Sequence, residues 1–558
     1  MRYFPFISIF WTVLLSIVIY QKISNDAFFY QRCEDVWVKV YSSPWYPRIE
    51  FTDSPYFPGW GTWLHPDRLE IRLTIPERLR TVLKPSRHLT KRELLYKLGG
   101  NGPWVQKTTQ GSPDNRPPQS CKVEQVHMLS RHSERYPTYT AGSRHLDLVK
   151  RLKALNTPLN GSLSFFNEWN YFTNNSENDF EQLTSTGPYA GTLGSFTTGI
   201  RFRTRYGHML PKSGTKKTTR LWASDSKRVI DTARYFAAGL FGIDWEKDDK
   251  AEVEVIPETM DRYTDTLTPG DTCLQYIEDT VLGHDCGRNM LEKFQNAYIP
   301  PIARRLIDEE GNEAVGEFTN LEIYSMQETC GFETLVRGTS PWCDVFTSRD
   351  WDHFEYARDL IHFYRAGPGN PYAGAMGWLW LNATSTLLEI GPKVGKMFFS
   401  FVHDGDIAPM LTALNIFDDP KYGKYLPVTR IAEDRVWRMS TVLPMGGRIS
   451  FERLHCKANN EGEEFFVRIN INDDIVQLPN CHTGPGSSCP LDHFVKIVHE
   501  RRDQVGKFGE TCGTEEKEET GLTFLRQPVY DSLEDDVRSS SSNLYSVIKS
   551  TDQNRQNC

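Results

Sequence analysis

Residues 129–138 read Leu-Ser-Arg-His-Ser-Glu-Arg-Tyr-Pro-Thr and follow an alternating apolar run. This puts Arg131, His132 and Arg135 where a strand ends and a helix is about to begin. Two guanidinium groups beside one imidazole repel a metal cation, so the trio is a poor metal site. It suits a phosphoryl dianion instead, because the guanidinium fork matches paired phosphoryl oxygens. A histidine held against that anion is a candidate nucleophile. Pro137 fixes the backbone as the loop leaves. A second polar group, His403-Asp404-Gly405-Asp406, ends another apolar run. There Asp404 is a candidate acid for a leaving oxygen, and Asp406 a candidate cap for the helix that follows. A lone Arg-His or His-Asp dipeptide is ordinary core or turn material. The two groups in order, each at a strand end, point to one phosphate site.

The elements that must position these residues follow from periodicity. Val123 to Leu129 reads as a strand, and Arg144 to Leu155 as a helix with Leu148, Leu152 and Leu155 at helical spacing. Leu221 to Ala223 is a second strand, running through Ser224-Asp225-Ser226 into a helix with Val229, Ala233 and Ala237. Lys396 to Val402 is a third, ending at His403 before a helix with Ile407, Met410, Leu411 and Leu414. Strand, polar loop and helix thus recur three times. The expected fold class is α/β: a mostly parallel sheet core with helices on both faces and a smaller, mainly helical cap domain. Later strands are expected at Arg448 to Leu454 and Glu464 to Ile471, before a turn at Asn472-Asp473-Asp474.

The expected organisation is an N-terminal signal peptide or anchor over 1–22 and an extension packing on the core over 23–120, with Asn101 to Pro118 a loop. The core then falls in 121–239 and 376–515, the cap in 240–375, and a polar tail in 516–558. The 558 residues suffice for one large core or two moderate ones. A net charge of -8 argues against nucleic acid as a partner but allows a local basic pocket. Phe4 to Tyr20 is a mostly apolar run flanked by Arg2 and Lys22, which fits a signal core. Membrane contact is expected only if that segment stays uncleaved. Eleven cysteines without zinc spacing favour disulfides and an extracellular chain. Cys330/Cys343 and Cys481/Cys489 look like local bridges, and the odd count leaves a spare, for which Cys558 is the natural choice. Asn160, Asn174 and Asn382 open glycosylation triplets. No cofactor is implied, and oligomeric state is not legible.

From Cys121 to Thr514 the chain resembles the histidine acid phosphatases, above all their fungal secreted acid phosphatases and phytases. The resemblance rests on Arg131 to Thr138, on Trp222 to Ala238, on Phe466 to Asp473 and on Cys489-Pro490-Leu491-Asp492. It implies His132 as nucleophile, Arg131 and Arg135 as phosphate holders, His403 as phosphate ligand and Asp404 as proton donor. It also implies disulfides Cys121–Cys456, Cys273–Cys512, Cys330–Cys343 and Cys481–Cys489, leaving Cys33, Cys286 and Cys558 unassigned. Two departures stand out. The motif glycine is Ser133, which is strained if a positive φ is needed there. The family's third phosphate arginine falls by register on Trp222; Arg220, two residues earlier on the same strand face, is the expected substitute.

The expected function is a secreted acid phosphomonoesterase acting on small phosphate monoesters through a phosphohistidine. Phytase action on inositol polyphosphates is the runner-up, with Lys212, Lys216, Lys217 and Arg220 as extra cations. A phosphomutase shares the nucleophile but does not suit a secretory signal. The rival of another class is a catalytically weak or silent cell-surface binding protein, which only Ser133 and the missing arginine favour.

Overall fold

The structure, a computed structural model, describes residues 49–50, 72–73, 89–105, 116–211, 218–457, 463–514 and 521–527. The chain forms two units, Met1–Ser86 and Arg87–Cys558. In the first, the described residues are an antiparallel pair, Ile49–Glu50 with Arg72–Leu73. The apolar run at 4–20, Lys212, Lys216, Lys217, Cys33, Cys558 and the serine-rich tail lie outside the described residues.

The second unit is built on one eight-stranded sheet. In chain order its strands are β1 (Cys121–Arg131), β2 (Thr219–Ser224), β3 (Ala251–Ile256), β4 (Met397–Val402), β5 (Arg448–Lys457), β6 (Glu463–Ile471), β7 (Asp474–Val476) and β8 (Cys489–Pro490). The spatial order is β8-β6-β5-β1-β4-β2-β3, with β7 beside β6. From β1 through β4 and β2 to β3 the pairing is parallel. From β1 outward through β5, β6 and β8 it is antiparallel. The sheet is therefore mixed, with its parallel half where the three strand-loop-helix repeats were read. Asn472 and Asp473, both at positive φ, make the turn expected after β6.

Alternation along β4 explains the two layers. Phe399 and Phe401 face Val126, Met128 and Leu221 on one side of the sheet. Phe398 and Val402 belong to the core on the other. Successive strand side chains point to opposite faces, so a strand apolar throughout must be covered twice. On the first side lie α2 (Gly191–Tyr206) and α3 (Lys227–Phe241), whose Phe202, Phe236 and Leu240 complete that core, whereas Leu148 and Leu152 of α1 (Tyr139–Lys153) belong to the other. The helices of the cap are α4 (Cys286–Arg304), α5 (Asn320–Arg337) and α6 (Ser348–Arg365). They are followed by α7 (Ala373–Ile390), α8 (Asp404–Leu414) and α9 (Leu491–Val505), with α7 packed on both α8 and α9. The regular elements of the 240–375 stretch are helices except for β3, which is the sheet's edge strand.

All four implied disulfides are present: Cys121–Cys456, Cys273–Cys512, Cys330–Cys343 and Cys481–Cys489. Cys121–Cys456 ties β1 to β5 at paired positions. Among the described residues Cys286 is a free, buried thiol. No helix of the described residues is long and apolar enough to cross a membrane.

Candidate active site

The carboxyl ends of β1 and β4 lie side by side, with Arg131 in register with Val402. That pairing brings the two sequence motifs together: the rings of His132 and His403 meet edge-on, centroids 5.7 Å apart. His132 is buried, and its Nδ1 lies 2.8 Å from the Ser133 carbonyl oxygen. A carbonyl only accepts, so Nδ1 carries the hydrogen and Nε2 carries the lone pair. Burial first, and then Arg131, Arg228, Arg135 and His403, hold the imidazole well below its usual pKa. Both influences favour the neutral ring.

Arg131 is anchored through one terminal nitrogen, which donates to the carbonyls of Gly100 (2.7 Å) and Leu443 (2.8 Å). Its other terminal nitrogen lies 2.9 Å from Asp404 Oδ2. Gly100 sits in the short Gly99–Asn101 turn, inside the stretch whose later part was read as loop. A side chain there would crowd Arg131 and His362, each about 3.3–3.4 Å from the Cβ position. Arg135 donates to the Tyr136 carbonyl at 2.7 Å and lies over the Phe332 ring. Burial, then Arg228 and Arg131, push Arg135 down to about 9. Like charges crowded without solvent are stabilised by an incoming anion.

The third arginine is not Arg220. That residue lies near the start of β2, away from the carboxyl ends, with its Nε 2.6 Å from Glu252 and 3.3 Å from Glu254. Sharing a strand face does not help a residue at the wrong end of the strand. Trp222 is core, stacked on Phe398. The further cation that does stand there is Arg228, in the first turn of α3: its terminal nitrogens lie 3.4 Å from Glu181 and 3.4 Å from His403 Nδ1. Arg131, Arg135 and Arg228 each leave a buried Nε without a partner. Two helix N-termini, those of α3 and α8, add positive dipole ends to this cluster.

Glu258 was also missed, two residues beyond β3; its carboxylate accepts from His403 Nε2 at 3.0 Å. With Arg228 donating to Nδ1, this orients the ring. Burial favours the neutral acid at Glu258, but His403, Ser224 and Arg228 together outweigh it and lower its pKa. The N-cap of α8 is His403 rather than the expected Asp406, which stands at the third position of the helix and accepts the His403 backbone N–H at 2.9 Å, closing a capping box. Asp404 is in the same turn, with Oδ1 accepting the Gly405 N–H at 2.9 Å. Burial would raise its pKa, yet its neighbours, with Arg131 first, hold it well below the usual carboxylate range. The nearby histidines are held neutral by burial, so the charges that count are Arg131 first and then Arg365.

Ser133 is not strained. It is absent from the residues at positive φ. Its N–H donates to Thr232 Oγ1 at 3.1 Å, and its hydroxyl accepts from Ser195 at 2.8 Å. The serine thus ties the motif loop to α2 and α3.

A cationic cluster around a neutral histidine, at the parallel half of a mixed sheet, coincides with a match to the family described as histidine phosphatase superfamily (branch 2) over residues 122–472. The chain belongs to this family. Within it, a phytase of Candida albicans is 32% identical over 434 residues, 77% of this chain and 89% of the relative. An acid phosphatase of Komagataella pastoris is 33% identical over 434 residues, 77% of this chain and 88% of the relative. The crystal structure of the phytase from D. castellii superposes with a TM-score of 0.70 at 29% identity, covering 79% of this chain and 92% of that one. Histidine phosphatases of branch 2 thus account for the α/β core, and the side chains gathered in this one are suited to binding a phosphoryl anion.

Proposed function

We propose that the chain is a secreted acid phosphomonoesterase that works through a phosphohistidine on His132. The observation that carries this is the neutral His132 ring set among Arg131, Arg135, Arg228 and His403. In the first step Nε2 attacks phosphorus, the ester P–O bond breaks, and the leaving oxygen takes a proton from Asp404. In the second, water attacks phosphorus and gives its proton to Asp404, the N–P bond breaks, and phosphate leaves. The arginines hold the equatorial oxygens throughout. Asp404 begins as a carboxylate paired with Arg131. An arriving phosphoryl anion competes for that guanidinium, and Asp404 takes up its proton as the pairing weakens.

Rapid quenching of a labelled substrate is expected to trap an acid-labile phosphohistidine on His132, and His132→Ala to abolish both the label and turnover. Full turnover by His132→Ala would rule the assignment out. The four disulfides support an oxidising, extracellular compartment. Phytase action is the second reading, favoured by the similarity to proteins named as phytases. Product release from phytate set against simple esters separates the two. The silent binding protein loses its two supports, since Ser133 is unstrained and Arg228 supplies the third cation.

A further inference from the structure

Asp404 has about four lone-pair positions on its two oxygens. Oδ1 accepts the Gly405 N–H at 2.9 Å. Oδ2 accepts from Arg131 at 2.9 Å and faces His362 Nδ1 at 3.6 Å. His362 comes from the cap helix α6 and is buried. On its far side, Arg358 donates to Nε2 at 3.2 Å. A guanidinium has donors only, so Nε2 is the acceptor and Nδ1 carries the hydrogen. The N–H pointing at Asp404 is therefore fixed by Arg358. Arg358 is fixed in turn by Tyr324 (2.9 Å) and Asn101 (3.0 Å).

We propose that His362 is a positioning residue for Asp404: its neutral Nδ1–H holds Oδ2, so that the transferable proton is carried on the open lone pair of Oδ1. The inference rests on the reading of Asp404 as proton donor. The 3.6 Å separation is beyond hydrogen-bond length, and such contacts commonly tighten when substrate binds. Once Arg131 turns to the phosphoryl group, His362 is the donor left to Oδ2. A cation in this position would keep Asp404 ionised and useless as an acid. The groups facing His362 are Arg358 and Arg365 on α6, Arg131 on β1 and Asp404 on α8. Burial is the largest influence on it, and with the arginines it outweighs Asp404 and brings the ring down to about 3. It stays neutral through the acid range.

The test compares kcat and KM for an alkyl phosphate, whose leaving group needs a proton, with those for 2,4-dinitrophenyl phosphate, whose leaving group does not. His362→Gln and His362→Asn differ in where they offer an N–H: the Asn amide matches Nδ1, the Gln amide matches Nε2. His362→Gln and His362→Ala are expected to lose kcat on the alkyl ester by about 10–100-fold, part of the full effect of a general acid. KM and the dinitrophenyl rate should stay near wild type, and His362→Asn should restore the alkyl rate. His362→Lys should shift the alkyl-ester optimum to lower pH. Equal losses on both esters, or equal behaviour of Asn and Gln, would overturn the inference. Asp404→Asn is measured alongside. If it shows no leaving-group dependence, the proton-donor reading itself falls, and the inference with it.

Discussion

Arg228 and Arg220 carry the same charge, stand eight positions apart, and have opposite surroundings. Arg228 contacts His403 and sits among the site cations, whereas Arg220 is engaged by Glu252 and Glu254 at the other end of β2. Arg228→Ala is therefore expected to weaken inhibition by inorganic phosphate by about 10–100-fold, the scale of one or two hydrogen bonds to a charged group. Arg220→Ala should leave that inhibition within about twofold, since its guanidinium is held by Glu252 and Glu254 near the start of β2, away from the cluster. Titration of the phosphate inhibition constant for both variants checks this. Comparable losses would return Arg220 to the site. At this scale much was legible. Arg131, His132, Arg135, His403 and Asp404 were named by residue type and order. Glu258 and Gly100 were not, because a single acid after a strand and a backbone carbonyl leave no distinctive pattern.

At the element scale, the crossing of α2 and α3 decides where Arg228 and Ser195 stand. The helices touch backbone to backbone at two glycines. A Cβ on Gly239 would lie 2.1 Å from the Phe196 carbonyl oxygen, and one on Gly199 would lie 2.1 Å from that of Phe236. Backbone cannot yield as a flexible side chain can, so a methyl group must push the helices apart. Gly239→Ala is expected to destabilise the fold by about 1–3 kcal/mol in denaturant titrations, the usual cost of overpacking. It should also raise KM, because α3 carries Arg228 in its first turn. Gly207→Ala is the control: nothing lies within 4 Å of its Cβ position. Equal effects from the two would mean that this crossing does not set the site. Helical periodicity revealed α3 from Val229, Ala233 and Ala237. It did not reveal the crossing, since two glycines on different helices are paired only by packing.

Over the whole molecule, stability must survive the acid in which such a site would work. His127 in β1 is fully buried, stacked on Phe398 at 4.3 Å, with neither ring nitrogen partnered. Burial brings its pKa down from 6.5 to about 3. Below pH 6.5 the unfolded chain binds a proton that the folded chain refuses until about pH 3. Stability is therefore lost as pH falls through that window. By linkage the loss at pH 4.5 relative to pH 8 is about 2–3 kcal/mol. His127→Leu should remove this part of the pH dependence whatever it does to stability at neutral pH. Unfolding midpoints compared at pH 8 and pH 4.5 would show it. Parallel loss in both proteins would mean that His127 does not govern the acid limb.

What the sequence determined by itself was chemistry and local order. Cations beside a histidine after a strand, a His-Asp pair after another, and apolar runs of strand and helix period were enough for an α/β core and a candidate phosphate site. These are short-range patterns, each written within about ten residues. Tertiary structure decided which residues complete the cluster. Register between β1 and β4 brings His132 to His403 across nearly half the chain. The first turn of α3 supplies Arg228, the segment after β3 supplies Glu258, and α6 supplies His362. Each is an ordinary residue on an ordinary element until packing carries it to the site. The antiparallel half of the sheet has the same cause: alternation marks a strand, but only pairing gives it a neighbour and a direction.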